Sequence, residues 1–169
     1  MRRNLIVAVA VTGILAAVTL PSGGEENRAA LAKALSEASL TLEQGLKASE
    51  QAGTPISGKY EINEEGALQL SVYTMKGEQF SEVIVDHKSG AIKKAEQITD
   101  PDDLKNAKEQ SLAMANAKVS LEKAVEEATK ANSGYRAVSV TPSLQAEKPV
   151  AEVTLMKAED VKKVTEKLN

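Results

Sequence analysis

Two stretches of this chain repeat one another. Met75-Lys76-Gly77-Glu78-Gln79-Phe80-Ser81-Glu82-Val83 aligns without a gap on Met156-Lys157-Ala158-Glu159-Asp160-Val161-Lys162-Lys163-Val164, at an offset of 81 residues with four of nine positions identical. The residues ahead of them match in kind. Thr41-Leu42-Glu43 and Ser120-Leu121-Glu122 each open a helical pattern, and each is followed by a glycine turn, a tyrosine-bearing strand (Tyr60, Tyr135), a second strand and a hairpin. Self-similarity at a fixed offset means that one supersecondary unit is built twice. In 169 residues this leaves room for two small units and short additions, which excludes a large multidomain enzyme.

Local patterning fills in those units. Leu31, Ala34, Leu35 and Ala38 recur at i, i+3, i+4 and i+7, which predicts an amphipathic helical lead-in over residues 25–40. Thr41 with Gln44 is a capping box, opening a helix that runs to about Ala52 and stops at Gly53-Thr54-Pro55. Gly45 inside it costs about 1 kcal/mol relative to alanine, which predicts close packing against another backbone. After Gly58 the apolar period changes to two. Tyr60 to Ile62, Leu68 to Tyr73, Phe80 to Val85 and a weaker Ala91 to Ile98 read as strands. They are separated by turns at Asn63 to Gly66, Lys76-Gly77 and Asp86 to Gly90.

The second half opens with Asp100 as cap and Pro101 at the first position of a connecting helix within residues 99–119, carrying Leu104, Ala107, Leu112 and Met114. Ser120 caps a further helix through Ala131 that ends at Asn132-Ser133-Gly134. Tyr135 to Val140 and Val150 to Met156 are predicted as strands, with Pro142 to Lys148 a loop between them. The last residues pull two ways. Val161, Val164 and Leu168 have helical spacing, whereas alignment on Phe80 to Val85 says strand. The strand from Val161 to Leu168 is preferred, because a two-strand unit would leave its inner edge unpaired. Ala158 in the place of Gly77 then calls for a different turn, since alanine resists positive φ. The fold class expected is α+β: two similar units, each a helix packed on an antiparallel β-meander, joined by a helix.

Ahead of these units, Met1-Arg2-Arg3-Asn4, the apolar run Leu5 to Leu20 and Pro21-Ser22-Gly23-Gly24 have the three-part plan of an export signal over residues 1–24, or an uncleaved membrane anchor. Cleavage before Glu25 removes Arg2 and Arg3 and no acidic residue, leaving 19 basic and 24 acidic side chains, a net charge of -5. A periplasmic or extracellular location is expected.

Composition excludes several chemistries. There is no cysteine and one histidine, His87, so disulfides, thiol catalysis and Cys/His zinc sites are ruled out. Acidic balance argues against nucleic acid as a partner. Asp86 and Ser89 lack the regularly spaced oxygen ligands of a calcium loop, so they read as turn stabilisers, and His87 as an exposed turn residue. Glu64-Glu65 falls in a hairpin turn and Asp102-Asp103 in the first turn of a helix, where carboxylates favour the dipole rather than act as a catalytic pair. Ser39 and Ser120 have no nucleophile-elbow context. Tyr60 and Tyr135 read as packing residues at the seam of helix and sheet. A non-enzymatic protein without cofactor or metal is expected.

The most specific string is Val85-Asp86-His87-Lys88-Ser89-Gly90, following the Lys76-Gly77 hairpin and the third strand. It resembles the Val-Asp-x-x-Thr-Gly turn of the PepSY domain family, with Ser89 where the family usually has threonine. On this resemblance residues 41–98 form a first PepSY-like unit and residues 120–169 a second, truncated one, which ends before its own Asp-x-x-Ser-Gly turn. The resemblance implies a small exported module with one helix on an antiparallel sheet. It also implies a protein partner in the cell envelope, a peptidase or an extended peptide, and no catalytic residues. Asp86, Ser89, Gly90 and Gly77 are the structural turn residues it marks. The alternative reading is a periplasmic module with a small-ligand pocket between helix and sheet.

Overall fold

The computed structural model describes residues 23–169, so the expected signal segment falls outside the described residues apart from its last two glycines. The chain begins with helix α1 (Gly23–Ala34), which tightens into a 3-10 turn over Leu35–Glu37. Ala38, predicted as helical, is already extended at φ -79° and ψ 123°. The cause is a tertiary contact: the N-H groups of Ser39 and Leu40 both donate to the His87 carbonyl at 3.0 Å, so the chain leaves the helix to dock on a turn of the sheet.

Helix α2 (Leu42–Ser49) starts at the predicted capping box, with Thr41 Oγ1 accepting from the Gln44 N-H and Gln44 Oε1 from the Thr41 N-H. Four strands come next: β1 (Thr54–Ile62), β2 (Leu68–Lys76), β3 (Gln79–Val85) and β4 (Ile92–Gln97). Helix α3 (Pro101–Ala115) has Asp100 as its cap, the carboxylate accepting from the Asp102 and Asp103 N-H groups. Helix α4 (Leu121–Ala131) is capped by Ser120 and leads to β5 (Arg136–Gln145), β6 (Lys148–Lys157) and β7 (Asp160–Lys167). The protein is thus α+β, with four α-helices among the described residues and one antiparallel seven-stranded sheet in the order β4-β3-β2-β1-β5-β6-β7.

The helices divide between the two faces of the sheet. Leu42 and Leu46 of α2 and Leu121, Ala124, Val125 and Ala128 of α4 bury against Leu70, Val72, Val83, Val140, Val153 and Leu155. That cluster is the main core. A smaller one joins Ile56, Phe80 and Ile98 to Ala107, with Leu104 and Met114 of α3 at its margin. Two meanders meet at the middle of the sheet, where β1 and β5 pair only at Gly58↔Val140 and Lys59↔Ser139. Gly58 makes room there for α2: a Cβ would lie 3.0 Å from Leu46 Cδ2, so the Leu46 side chain would have to shift.

Strand pairing in the two halves has one pattern. β2 and β3 pair through Met75↔Phe80, Val72↔Val83 and Leu70↔Val85; β6 and β7 pair through Met156↔Val161, Val153↔Val164 and Ala151↔Glu166. Each first strand carries a one-residue bulge, between Pro55 and Ser57 in β1 and between Ala137 and Ser139 in β5. Tyr60 and Tyr135 do not correspond under this register. Tyr60 lies within β1 and is 3% exposed, whereas Tyr135 precedes β5.

Three sequence expectations are corrected. The Pro142 to Lys148 loop is mostly strand: Pro142 pairs with Ala151, Gln145 with Lys148, and only Ala146 and Glu147 turn, at φ 48° and 64°. Pro142 is tolerated because β1 pairing has ended by Val140, and Pro142 alternates with Ser143 and Gln145, whose backbone groups face β6. Ala158 does not force a different turn; it takes φ 51° where Gly77 has 63°. Gly45 faces the side chain of Leu70 rather than a backbone, whereas a Cβ at Gly53 would sit 2.8 Å from the Met75 carbonyl oxygen.

These turns make a paired prediction. Gly77→Ala should destabilise by about 1 kcal/mol, because alanine pays the left-handed penalty, while Ala158→Gly should relieve that penalty and stabilise by about 0.5 kcal/mol. Gly90 is at φ 78°; Gly90→Val should cost about 1 kcal/mol or more. Urea midpoints measure all three, and a Gly77→Ala variant no less stable than wild type would contradict the shared turn geometry.

Candidate functional site

The four residues marked by the sequence fall in two places. Asp86, Ser89 and Gly90 form one turn between β3 and β4. Asp86 Oδ1 accepts from the Lys88 N-H at 3.0 Å, the Ser89 N-H at 2.8 Å and the Ser89 hydroxyl at 3.0 Å, and Gly90 N-H closes on the Asp86 carbonyl at 2.8 Å. Gly77 turns the opposite end of β3, so it does not join them. Lys93 Nζ takes the second Asp86 oxygen at 2.7 Å. The Lys93 ammonium, with the donors of Ser89 and Lys88, holds the Asp86 carboxyl well below the usual aspartate range.

This cluster does architectural work. Its His87 carbonyl receives the chain at Ser39 and Leu40. His87 is half-buried by that contact rather than exposed, its Nδ1 is buried without a protein partner, and burial lowers its pKa. Tyr60 adds to the same joint by donating its hydroxyl to the Leu40 carbonyl at 2.8 Å.

A second site was not evident from sequence. On the sheet face opposite α2 and α4, the centre is polar: Ser57 and Lys59 of β1, Ser71 and Tyr73 of β2, Ser139 and Thr141 of β5. Over it stand Asp103, Asn106 and Gln110 of α3, spaced at i, i+3 and i+7, and the space between is a cleft of about 280 Å³. Asn106, Gln110 and Thr141 also line a wider depression of about 510 Å³, which α3 bounds with Glu109 and Leu112 and β5 bounds with Pro142, Ser143 and Leu144. Leu112 is 56% exposed and Leu144 37%, the two large apolar side chains of the described residues that stand open to solvent.

The polar groups in the cleft are unequally satisfied. Lys59 Nζ is held by Glu61 Oε2 at 2.7 Å, and Ser71 donates to Glu61 Oε1 at 2.9 Å while accepting from Gln69 Nε2 at 2.9 Å. Gln110 Oε1 is buried with no donor, and among the described residues Asp103 makes no ion pair. Burial, reinforced by the Asp103 and Glu82 carboxylates, pushes the Tyr73 phenol up to about 12. The cleft therefore holds the Tyr73 phenol against the Asp103 carboxylate, with the Gln110 amide oxygen buried and unpaired behind it. Among the described residues no group of three His, Asp or Glu side chains could hold a metal ion, and no helix is long and apolar enough to cross a membrane.

One signal in the sequence pointed here. Leu112 lies roughly 140° around the helix from Ala107 at about 100° per residue, out of phase with the buried stripe. Comparison with known proteins finds no matching family model, curated protein or solved structure.

Two titrations test these environments. A carboxylate whose folded pKa is depressed contributes stability above its ordinary value of 3.8 and loses it as pH falls through the folded value. Asp86→Asn should thus lower the denaturation midpoint at neutral pH and show a shallower decline than wild type below pH 3.8; identical acid limbs would contradict the Asp86–Lys93 arrangement. Tyr73 has the opposite sign: its contribution is complete below pH 10 and is lost as pH rises to about 12. Ultraviolet titration of tyrosinate should show a last step near 12 that disappears in Tyr73→Phe and moves down in Asp103→Asn.

Proposed function

We propose that the protein is an exported, non-enzymatic binding and regulatory module of the PepSY type, built from two similar units, acting on an envelope peptidase or an extended peptide by protein contact. Support for the duplication comes from register. The β6–β7 pairs are the β2–β3 pairs displaced by 81 residues, the bulges recur, and a capped helix precedes each meander.

The observation that carries the binding role is the free side of β5. Among the described residues, Thr141 to Gln145 pair with β6 and have no partner strand on their other side, so this stretch can accept an extended chain as an added strand. The outer strands are poorer docking edges. Lys93 and Lys94 on β4 and Lys162, Lys163 and Lys167 on β7 are charges of the kind that guard sheet edges against pairing. A second reading, a small-ligand module, is favoured by the cleft of about 280 Å³ under α3.

A photo-crosslinking residue placed at Ser143, with controls at Lys94 and Lys163, separates these readings in intact envelopes. Polypeptide adducts from Ser143 that a protease-resistant competitor peptide removes are expected. Adducts confined to Lys94 or Lys163 would move the binding surface, and the absence of polypeptide adducts at all three would leave the small-ligand reading.

A further inference from the structure

A separate groove of about 360 Å³ opens where α1 packs on the sheet, floored by Ile62 of β1, Val138 of β5, Met156 of β6 and Val161 of β7 and walled by Arg28 and Leu31 of α1. Met156 alternates along β6 with Val153 and Leu155, which belong to the core under α4, so the groove lies on the other face of the sheet, with Val161 paired beside Met156. α1 fills this floor poorly. Its one large apolar side chain is Leu31, whereas α2 brings Leu42 and Leu46 and α4 brings Leu121 and Val125. Leu31, Ile62 and Val161 are therefore left half-buried, with apolar surface still open. Arg28 is the cation of the lining, half-buried itself, and none of the ion pairs among the described residues includes it. The carboxylate that shares the groove, Glu61, is already engaged: Oε2 holds Lys59 Nζ at 2.7 Å and Oε1 accepts from the Ser71 hydroxyl at 2.9 Å.

We propose that this groove binds a single-chain carboxylate amphiphile, its alkyl tail against Leu31, Ile62 and Val161 and its carboxylate paired with Arg28. The groove meets β5 only at Val138, apart from the free stretch Thr141 to Gln145, so amphiphile binding here adds to peptide binding there without depending on it.

Length, volume and charge all favour this occupant. Strands β1, β5, β6 and β7 are consecutive neighbours in the sheet, so the floor spans three inter-strand steps of about 4.8 Å, about 14 Å in all. A zigzag of carbon–carbon bonds of about 1.5 Å covers that distance with about ten carbons. At about 360 Å³ the groove is near the small end of ligand pockets, which run from about 300 to 1,000 Å³, and suits one alkyl chain rather than the two of a phospholipid. An apolar side chain of a peptide would use the same floor but leave Arg28 unpaired, and an alkylammonium would meet it with like charge. A carboxylate instead matches the planar guanidinium fork with two parallel N-H···O bonds.

The test titrates the isotopically labelled full chain with decanoate, octanoate, decanol and decyltrimethylammonium. Expected are backbone shift changes at Arg28, Leu31, Ile62, Thr154 and Val161, with decanol binding at least about tenfold more weakly than decanoate, the scale of one lost charge-assisted contact. Octanoate should bind about 15-fold more weakly than decanoate, the loss of two buried methylenes. Arg28→Gln should bind decanoate and decanol alike, while Arg28→Lys keeps a preference for the acid; a purely structural role for Arg28 would weaken both probes together. Val161→Ser should weaken decanoate and decanol equally. Equal binding of those two probes by wild type would overturn the proposal, as would tighter binding of decyltrimethylammonium, shift changes confined to α3 and Thr141 to Gln145, or no shift changes at all. Leu15→Asp that moves the Leu31 and Val161 resonances without any probe would seat the chain's own apolar run in the groove and equally overturn it. None of these outcomes bears on polypeptide adducts at Ser143, so the peptide-binding reading stands or falls separately.

Discussion

The sheet is continuous because of two residue pairs. Gly58↔Val140 and Lys59↔Ser139 are where the meander β1 to β4 meets the meander β5 to β7, and on either side of them the two strands part. So short a ladder would be weak alone, since each net hydrogen bond contributes only about 0.5–1.5 kcal/mol. Packing reinforces it from the apolar face, where α2 and α4 lie against each other and across the joint, Leu42 and Leu46 beside Leu121 and Val125. Gly58 lets α2 approach this joint closely enough to seal it.

Arg136 is a second clasp across the same joint. It stands at the start of β5, its guanidinium donates to the carbonyls of Leu35, Ala38 and Leu40, and it lies 5.3 Å from the centre of the Tyr60 ring on β1. A cation near the end of the 3-10 turn satisfies carbonyls that the helix leaves unpaired, and the aromatic face compensates part of its desolvation. One side chain therefore binds the lead-in, the first meander and the second. The parting of β1 from β5 beyond the joint is what opens the cleft on the other face, so the same short ladder that needs this support also creates the candidate site.

Capping chemistry and two-residue periodicity made most elements legible. Thr41 with Gln44, Asp100 with Pro101, and Ser120 all cap where their patterns place them, because a cap is a local side-chain-to-backbone bond that needs no tertiary information. The final strand was legible only through the repeat. Its local spacing is helical, and pairing with β6 overrides it. Pro142 and Ala158 misled for a related reason: each breaks a local rule at a place where the neighbouring strand or turn tolerates it. The cleft was nearly invisible, since its walls come from β1, β2, α3 and β5, and only the phase of Leu112 marked it.

Turn composition differs between the halves in a way that bears on how the chain assembles. Three turns of the first meander contain a glycine at positive φ, Gly66, Gly77 and Gly90, whereas the second bends at Ala146, Glu147 and Ala158. Non-glycine residues held there cost about 1–2 kcal/mol each, so the later hairpins close against strain and the earlier ones do not. The two halves share one sheet, so the strained turns of the second are held by pairing of β5 with β1 and by the common core. The carboxy-terminal meander therefore carries its turn strain within a sheet whose other half closes on glycine turns, Gly66, Gly77 and Gly90.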